Sequence, residues 1–447
     1  MIAKRVKLSA LWCDQGMAHM LETFESQDEV ANEVPLGIAL FDFGADLKTL
    51  KKSVRIELAT PAVRSVQSAL ASQKAAGRTP LLNFVVVSHQ DQDHYSLLNY
   101  LMNEVGTASK GNMYVGAIVK GGCDWSDGAT KTIERLRNYG LEGEKANVTT
   151  FTNNFSHYPG PTKSVGSLGT LNGVNLRVLL SNKSMPQGAE EDIRRNATSA
   201  VMVIDFENQR IILPGDATWE TLKAINTKLK KWSPGSPVRP VVMMSVPHHG
   251  SLRTMDPSNK VSKDSTVPDL ASFLALTQPQ TSIASAGAWN QFHHPSELII
   301  DEFRKHATPR TSHPIVVFTK PRAAPSQWAV QHPQKATFTT TITLGAPPRI
   351  RNYYLEITKD QPTLSDSPVD GSAVPVNHAP LERKRKPNSK RLGARPKKRS
   401  RPGASGVSPR LISTSRAPIG ALALGQHVAR VAPPARRAKP ILRTSSR

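Results

Sequence analysis

Cysteine is scarce in this sequence, with only Cys13 and Cys123 among 447 residues. Two cysteines cannot build a disulfide framework, and neither has a Cys or His neighbour at zinc-finger spacing. The shortage therefore excludes a disulfide-stapled secreted domain and a zinc finger. It indicates a reducing compartment, and we predict a cytoplasmic location.

Long apolar runs are also missing. Runs such as Phe84–Val87 and Val241–Met244 have the length of a β-strand, whereas a membrane-spanning helix needs about 20 apolar residues. Near the N-terminus, Cys13 and the two polar residues after it interrupt the chain before the apolar core of a signal peptide can form. We therefore expect a soluble protein without a membrane partner.

Acidic and aromatic residues are almost absent from the end of the chain. From Leu381 to Arg447 there are 19 lysines and arginines against one acid, Glu382, so this stretch carries +18 of the net charge of +23. Such a segment cannot bury enough apolar surface to offset the entropy of ordering it. The sequence thus predicts a globular domain over residues 1–358 and a disordered, basic, Pro- and Ser-rich tail over residues 359–447.

Within the first part, short apolar runs end in polar residues that can bind metals. Each run has the length of a buried strand, with the polar group at its carboxyl end. The runs lie at residues 36–41, 81–88, 210–215, 241–247 and 281–287, and are followed by Asp42, His89, Asp216, His248 and, after a short loop, His294.

Stretches with helical character separate these strands. They cover residues 61–74, 95–104, 129–139, 219–230 and 295–306, and a last pair of strands is expected within 336–358 around a turn at 345–348. Strands that alternate with helices predict a layered α/β domain.

The densest group of metal-binding side chains is Ser88-His89-Gln90-Asp91-Gln92-Asp93-His94, directly after an apolar strand. Two imidazoles and two carboxylates within six residues offer the nitrogen and oxygen donors that zinc requires. Taken alone, the run also fits a solvated polar turn.

This run resembles the His-x-His-x-Asp-His signature of the metallo-β-lactamase superfamily, in the variant of the ComEC-type branch where Asp91 stands in place of the middle histidine. Over about residues 8–320, further motifs resemble those of that branch in the same order: Asn196-Ala197-Thr198-Ser199, Gly215-Asp216, His248-His249-Gly250-Ser251 and His294-Pro295. The resemblance implies a four-layer αββα sandwich and hydrolase activity. ComEC-type domains accompany a DNA-uptake channel and are regarded as nucleases; nothing in this chain resembles the channel.

By this resemblance, His89 and Asp91 would hold one metal, Asp93 and His94 would face a second, and Asp216 would bridge the two. Two metals about 3.5 to 4 Å apart can share a hydroxide that acts as the nucleophile near neutral pH. Asp93 is therefore also an expected catalytic residue. The expected cofactor is zinc, as one or two ions, with manganese as the alternative.

Paired histidines leave a choice at two motifs. On an extended backbone His248 and His249 would point to opposite sides, so only one could easily bind metal, and we favour His248. His249 would then orient a ligand, donate a proton to the leaving group or contact substrate, and Ser251 would hydrogen-bond an anionic oxygen. We prefer His294 to His293 as a ligand because His294 belongs to the His-Pro pair of the branch.

The sequence departs from the superfamily at two places. The two glycines that usually follow Asp-His-x are replaced by Ser96 and Leu97, which predicts an altered shape of the active site. Asn196 fits the branch, but many other members place a third histidine nearby, which favours a weaker or single metal site.

Two clusters of basic residues mark the tail, Arg383-Lys384-Arg385-Lys386 and Lys397-Lys398-Arg399. Counterion release favours binding of such segments to nucleic acid, and the lack of aromatics between them argues against base-selective stacking. A solubilising tail is the alternative. The spacing also resembles a bipartite nuclear-import signal, which would predict a nuclear location in a eukaryotic host.

Three functions are consistent with the sequence. The leading hypothesis is a metal-dependent phosphodiesterase or nuclease. The second is a hydrolase of a small ester, lactone or lactam, because the superfamily hosts all of these on one scaffold. The third is a binding protein that keeps the fold and has lost catalysis.

Overall fold

The computed structural model describes residues 1–11, 13, 16–27, 33–46, 52–151, 167–207, 209–232, 241–258, 262, 264–286, 294–306, 315–317, 335–344, 349–357 and 362–364. All of them belong to the first of two compact units, Met1–His378. The second unit, Ala379–Arg447, contains both basic clusters of the predicted tail, and these clusters lie outside the described residues.

The described residues form sixteen strands and eight α-helices. The strands are β1 Arg5–Ala10, β2 Ala18–Phe24, β3 Gly37–Phe43, β4 Leu81–Val87, β5 Tyr114–Lys120, β6 Asn147–Thr150, β7 Ser167–Leu171, β8 Val174–Leu180, β9 Val201–Phe206, β10 Gln209–Leu213, β11 Val241–Ser245, β12 Ser282–Ser285, β13 Ile315–Val317, β14 Lys335–Leu344, β15 Arg349–Ile357 and β16 Pro362–Leu364. The helices are α1 Lys52–Ala75, α2 Ser96–Val105, α3 Asp127–Arg137, α4 Glu191–Ala197, α5 Trp219–Trp232, α6 Leu252–Met255, α7 Pro268–Thr277 and α8 Glu297–His306.

Hydrogen bonding links the strands in the order β6-β5-β4-β3-β2-β1-β14-β13-β12-β11-β10-β9-β8-β7. In the first half, β1, β2 and β3 pair antiparallel, and β3 to β6 pair parallel. In the second half, β7 to β10 pair antiparallel, and β10 to β14 pair parallel. The antiparallel pair β1 and β14 joins these two mixed sheets.

Alternation along β9 shows how the layers are stacked. Met202 and Ile204 share a buried apolar cluster with Leu40 of β3, whereas Val203 lies in a second cluster with Leu222 of α5. Successive side chains of a strand lie on opposite faces, so one face of the second sheet packs on the first sheet and the other packs on helices. Helices α1, α2 and α3 contact strands of the first sheet. The predicted α/β fold with four αββα layers is confirmed.

Most predicted elements are present. The expected strands and helices correspond to β3, β4, β10, β11, β12, β14 and β15 and to α2, α3, α5 and α8, and the turn expected at 345–348 lies outside the described residues. Helix α1 begins at Lys52 and contains Pro61, at which we expected it to start because proline favours the first turn of a helix. Strand β5 escaped prediction because Gly116 interrupts its pattern. A Cβ there would lie 2.8 Å from the Asn83 carbonyl oxygen on β4.

Two other expectations concern membrane-spanning helices and the end of the globular domain. Among the described helices, none combines the length and the apolar character that crossing a membrane requires. Strand β16 pairs with β15 and lies beyond residue 358. The boundary between domain and tail stays a prediction.

Candidate metal centre

The candidate metal-binding residues follow strands whose carboxyl ends meet at one edge of the sandwich. His89 follows β4, and β4 pairs in parallel with β3, which contains Asp42. In the second sheet, Asp216 follows β10 and the pair His248-His249 follows β11, again a parallel pair. Carboxyl ends of parallel strands point the same way, so their loops gather on one side.

Asp216 lies at the centre of this cluster and is 2% exposed. Its Oδ1 atom is 3.1 Å from Nε2 of His94 and 3.8 Å from Nε2 of His249. Its Oδ2 atom faces a different pair, 3.6 Å from Nε2 of His89 and 3.4 Å from Nε2 of His248. Each carboxylate oxygen therefore serves its own half of the site, as a bridging ligand would.

Asp91 and Asp93 complete the two halves. Asp93 Oδ2 is 3.2 Å from His249 Nε2, and Asp93 Oδ1 is 4.0 Å from His94 Nε2, on the Oδ1 side of Asp216. Asp91 Oδ2 is 3.6 Å from His89 Nε2, on the opposite side. Ligand atoms of four residues all lie within 4.8 Å of one another: Asp93, His94, Asp216 and His249.

The outer nitrogens, Nδ1, of three histidines have hydrogen-bond partners. His94 Nδ1 is 2.9 Å from Asp42 Oδ2, and His249 Nδ1 is 2.6 Å from the carbonyl oxygen of Ser285. His248 Nδ1 is 2.9 Å from the hydroxyl of Thr254, which itself donates to the Ser251 carbonyl oxygen at 3.2 Å. A carboxylate and a carbonyl oxygen can only accept, so Nδ1 of His94 and Nδ1 of His249 must donate, and Nε2 of each ring faces the centre.

The inward atoms face one another without making hydrogen bonds. Nε2 of His89, His94 and His249 and Oδ1 of Asp216 are buried and make no hydrogen bond within the described part of the chain. Buried acceptors that face one another are costly unless a cation lies between them. Imidazole nitrogens with carboxylate oxygens are donors that zinc accepts. The residues present therefore fit a metal centre.

The electrostatics of the cluster agree with this interpretation. Burial opposes ionisation of Asp216, but the imidazoles of His248 and His94 outweigh it and hold the pKa of the Asp216 carboxyl well below its usual range. Burial opposes protonation of His94, yet Asp216 and Asp42 outweigh it and raise the pKa of His94 well above the usual value. The pocket thus stabilises positive charge at its centre.

The backbone of the His248-His249 pair differs from the extended form that we assumed. Both residues have positive φ, 45° and 53°, in the left-handed region, which few non-glycine residues adopt. This turn lets both imidazoles approach Asp216, with ring centroids 5.9 Å apart. His248 thus lies with His89 on the Oδ2 side of Asp216, and His249 lies with Asp93 on the Oδ1 side. Which of them binds metal stays a prediction, but the premise that only one can face the centre does not hold.

Two glycines permit close approach of the loops. A Cβ on Gly44 would lie 2.4 Å from the backbone of Asp93 and His94, and one on Gly215 would lie 2.8 Å from the Ser88 hydroxyl.

Ser96 stands where the resemblance predicted the first missing glycine. Its hydroxyl accepts from the Ala45 N–H at 2.9 Å and donates to the Ala45 carbonyl oxygen at 2.7 Å. Ser96 therefore ties the start of α2 to Ala45 with two hydrogen bonds.

The remaining predicted residues lie at the periphery. His294 is buried, and its ring centroid is 5.9 Å from that of His248. Ser251 is buried too, and its N–H donates to the His248 carbonyl oxygen at 2.8 Å. Asn196 Nδ2 lies 3.4 Å from His248 Nδ1. His293 lies outside the described residues. The roles of His294, Ser251 and Asn196 stay predictions.

Sequence reasoning did not predict which residues orient the candidate ligands. Asp42, which holds His94, closes a strand in a motif that reads as an ordinary turn. Thr254 and the Ser285 carbonyl oxygen, which orient the two histidines after β11, belong to no motif. The sequence signal that could have indicated this role for Asp42 is an acidic residue directly after an apolar run.

Comparison with known proteins leaves the family of this chain undetermined. No protein-family model and no curated protein matches it. Among solved structures, it is similar to the metallo-β-lactamase fold protein YhfI from Bacillus subtilis, at 10% identity over 71% of this chain and 97% of that one, with a TM-score of 0.35. It is also similar to the isothiocyanate hydrolase from Delia radicum gut bacteria, at 11% identity over 72% and 99% of the two chains, with a TM-score of 0.34. At such values neither protein indicates a substrate here, and the ComEC-type branch stays a prediction.

Proposed function

We propose that this chain is a metal-dependent hydrolase that cleaves phosphodiester bonds, with nucleic acid as its substrate class. One observation carries the proposal: buried imidazole Nε2 atoms and Oδ1 of Asp216 converge on one centre and make no hydrogen bond within the described residues. Such a centre favours a divalent cation, and its position at the carboxyl ends of parallel strands is where α/β folds bind ligands.

When bound, one or two cations would lower the pKa of a water molecule and polarise a phosphoryl oxygen. The mixed nitrogen and carboxylate set suits zinc, with manganese as the alternative. The Oδ1 side of Asp216 offers Asp93, His94 and His249, and the Oδ2 side offers His89, Asp91 and His248. Two such half-sites favour phosphodiesters, because paired metals stabilise both the attacking and the leaving oxygen of a displacement at phosphorus.

The chain's own residues would hold the reacting groups in place. Hydrolysis forms a bond from a water oxygen to phosphorus, breaks the bond to the leaving oxygen, and transfers a proton from water to that leaving oxygen. Asp93 is suited to orient the water, because burial opposes its ionisation but the neighbouring His249 and His94 keep the pKa of its carboxyl lowered. The Asp93 carboxylate therefore stays ionised at neutral pH and can accept a hydrogen bond from the water.

The test compares wild type with Asp93→Asn, which keeps the shape of the side chain and removes its charge. Zinc and manganese content is measured, with hydrolysis of bis-p-nitrophenyl phosphate and of single-stranded DNA. We expect wild type to cleave both, and the variant to lose activity by more than about 100-fold. Asp127→Asn, at the exposed first turn of α3, is the matched control. Equal activity of Asp93→Asn and wild type would refute the site.

Nucleic acid as substrate is supported by the charge of the tail, which offers two clusters of basic residues. Replacing the clusters 383–386 and 397–399 with glutamine should weaken single-stranded DNA binding and flatten its dependence on salt, because fewer counterions are released. Hydrolysis of bis-p-nitrophenyl phosphate should not change. An unaltered salt dependence would assign the tail another role and leave the hydrolase proposal standing.

A further inference from the structure

The exposure of the site residues shows on which side the centre is open. The side chains of His89 and His94 are fully buried, whereas those of Asp93 and His248 are 18% and 17% exposed. Asp91 is the most exposed of the candidate ligands, at 28%. A substrate therefore approaches past Asp91 rather than from the side of His94.

Arg195, at the end of α4, lies at this opening. Its side chain is 38% exposed, and Nη1 is 3.8 Å from Asp91 Oδ1, while the other oxygen of Asp91 faces His89. At 3.8 Å the guanidinium is attracted by the carboxylate but is too distant for a hydrogen bond. Its Nε atom is buried and makes no hydrogen bond within the described residues. Because the side chain is partly exposed and Nη1 is beyond hydrogen-bond distance of Asp91, the Nη donors of Arg195 are available at the mouth of the centre.

Two other described arginines are in close contact with carboxylates. Arg253 contacts Asp192 at 2.9 Å, and Arg210 contacts Asp205 at 2.6 Å. Neither of these carboxylates is a candidate metal ligand. Arg195 differs because its acidic neighbour, Asp91, belongs to the centre itself.

We propose that Arg195 binds an anionic oxygen of the substrate and selects phosphate esters over neutral esters. A guanidinium presents several N–H groups in one plane, a geometry that matches phosphoryl oxygens, and it stays charged at all relevant pH values. The backbone beneath it is fixed, because the Arg195 carbonyl oxygen accepts from the N–H and the hydroxyl of Thr198 at 3.0 and 2.6 Å. The inference deepens the proposed function and rests on the same metal centre.

The experiment uses the full chain loaded with metal and three variants: Arg195→Met, Arg195→Lys and, as control, Arg194→Met, which removes an exposed neighbouring charge. Binding of inorganic phosphate is measured by calorimetry, with kcat and KM for bis-p-nitrophenyl phosphate. For Arg195→Met we expect phosphate binding about 10- to 100-fold weaker and KM raised, as loss of a charge-assisted hydrogen bond implies. Arg195→Lys should recover part of the loss, and metal content should stay at the wild-type level.

The outcomes separate this inference from the proposed function. If Arg195→Met and Arg194→Met bind phosphate as wild type does, the role of Arg195 is refuted even though the diester is cleaved. If wild type binds phosphate through Arg195 but cleaves no diester, the anion site stands and the proposed function fails. A loss of metal in Arg195→Met together with Arg195→Lys would show that Arg195 supports Asp91 instead, and would overturn the inference.

Discussion

The Nδ1 atom of His94 lies 2.9 Å from Oδ2 of Asp42, and this contact joins the candidate metal loop to the end of β3. The other oxygen of Asp42 accepts the Ser88 N–H at 2.7 Å, at the start of the same loop. One buried carboxylate thus fixes the loop backbone and also the tautomer of His94. A carboxylate behind a metal-binding imidazole raises the basicity of the imidazole and orients its ring.

Asp42→Asn should weaken metal binding by about 10- to 100-fold, because the amide can present its NH₂ group to His94 and favour the wrong tautomer. Metal affinity is measured by competition with a chromogenic chelator. Asp264→Asn, at an exposed turn, is the matched control and should bind metal as wild type does. Unchanged affinity in Asp42→Asn would show that His94 is not a ligand in the assumed tautomer.

The candidate ligands could be identified where they stand together in the sequence. His89, Asp93 and His94 form one short run after an apolar strand, and this density indicates chemistry before any fold is known. Asp216 follows a strand in an ordinary Gly-Asp turn, so only its place in the order of motifs pointed to it. The structure brings all four to one edge of the sheets.

The arrangement of His248 and His249 could not be predicted in the same way. Alternation of side chains holds for extended backbone, whereas both residues adopt positive φ, which non-glycine residues seldom do. The groups that orient these rings are a hydroxyl and a backbone carbonyl oxygen. Carbonyl oxygens occur at every residue, so the role of Ser285 leaves no mark on the sequence.

Thr254→Val should weaken binding in the half of the site that contains His248. Valine keeps the shape of threonine but lacks the hydroxyl that lies 2.9 Å from Nδ1 of His248 and orients its ring. We expect roughly tenfold weaker binding of one metal equivalent. Chelator titration measures the number of metals per chain and the affinity of each.

A matched control for this variant is Thr277→Val, since Thr277 is also buried and its hydroxyl donates to a helix carbonyl oxygen, that of Phe273, at 2.8 Å. It should keep both metal affinities. Identical titration curves for Thr254→Val and wild type would remove His248 from the ligand set and leave His249 as the ligand after β11.

Metal removal should destabilise the fold, because the centre then holds facing acceptors without a counter-charge. A ligand present at about 1,000 times its Kd stabilises the folded state by about 4 kcal/mol, and chelation withdraws this contribution. Thermal unfolding with and without EDTA measures the loss, and added zinc should reverse it. Asp216→Ala should show no response to EDTA. A wild-type Tm that EDTA leaves unchanged would contradict a metal centre.

Gly44→Ala should damage both stability and metal binding, since the added Cβ would lie 2.4 Å from the backbone of Asp93 and His94. That distance is too short for any real contact, so the loop must move away from β3, at a cost of about 1 to 3 kcal/mol or more. Gly128→Ala is the control with the opposite expectation: Gly128 lies in α3, its nearest neighbour would be 3.9 Å away, and alanine there should stabilise the helix by about 0.5 to 1 kcal/mol. Urea unfolding and metal content measure the two effects together. If Gly44→Ala unfolds as wild type does and retains its metal, the metal loop does not depend on its close packing against β3.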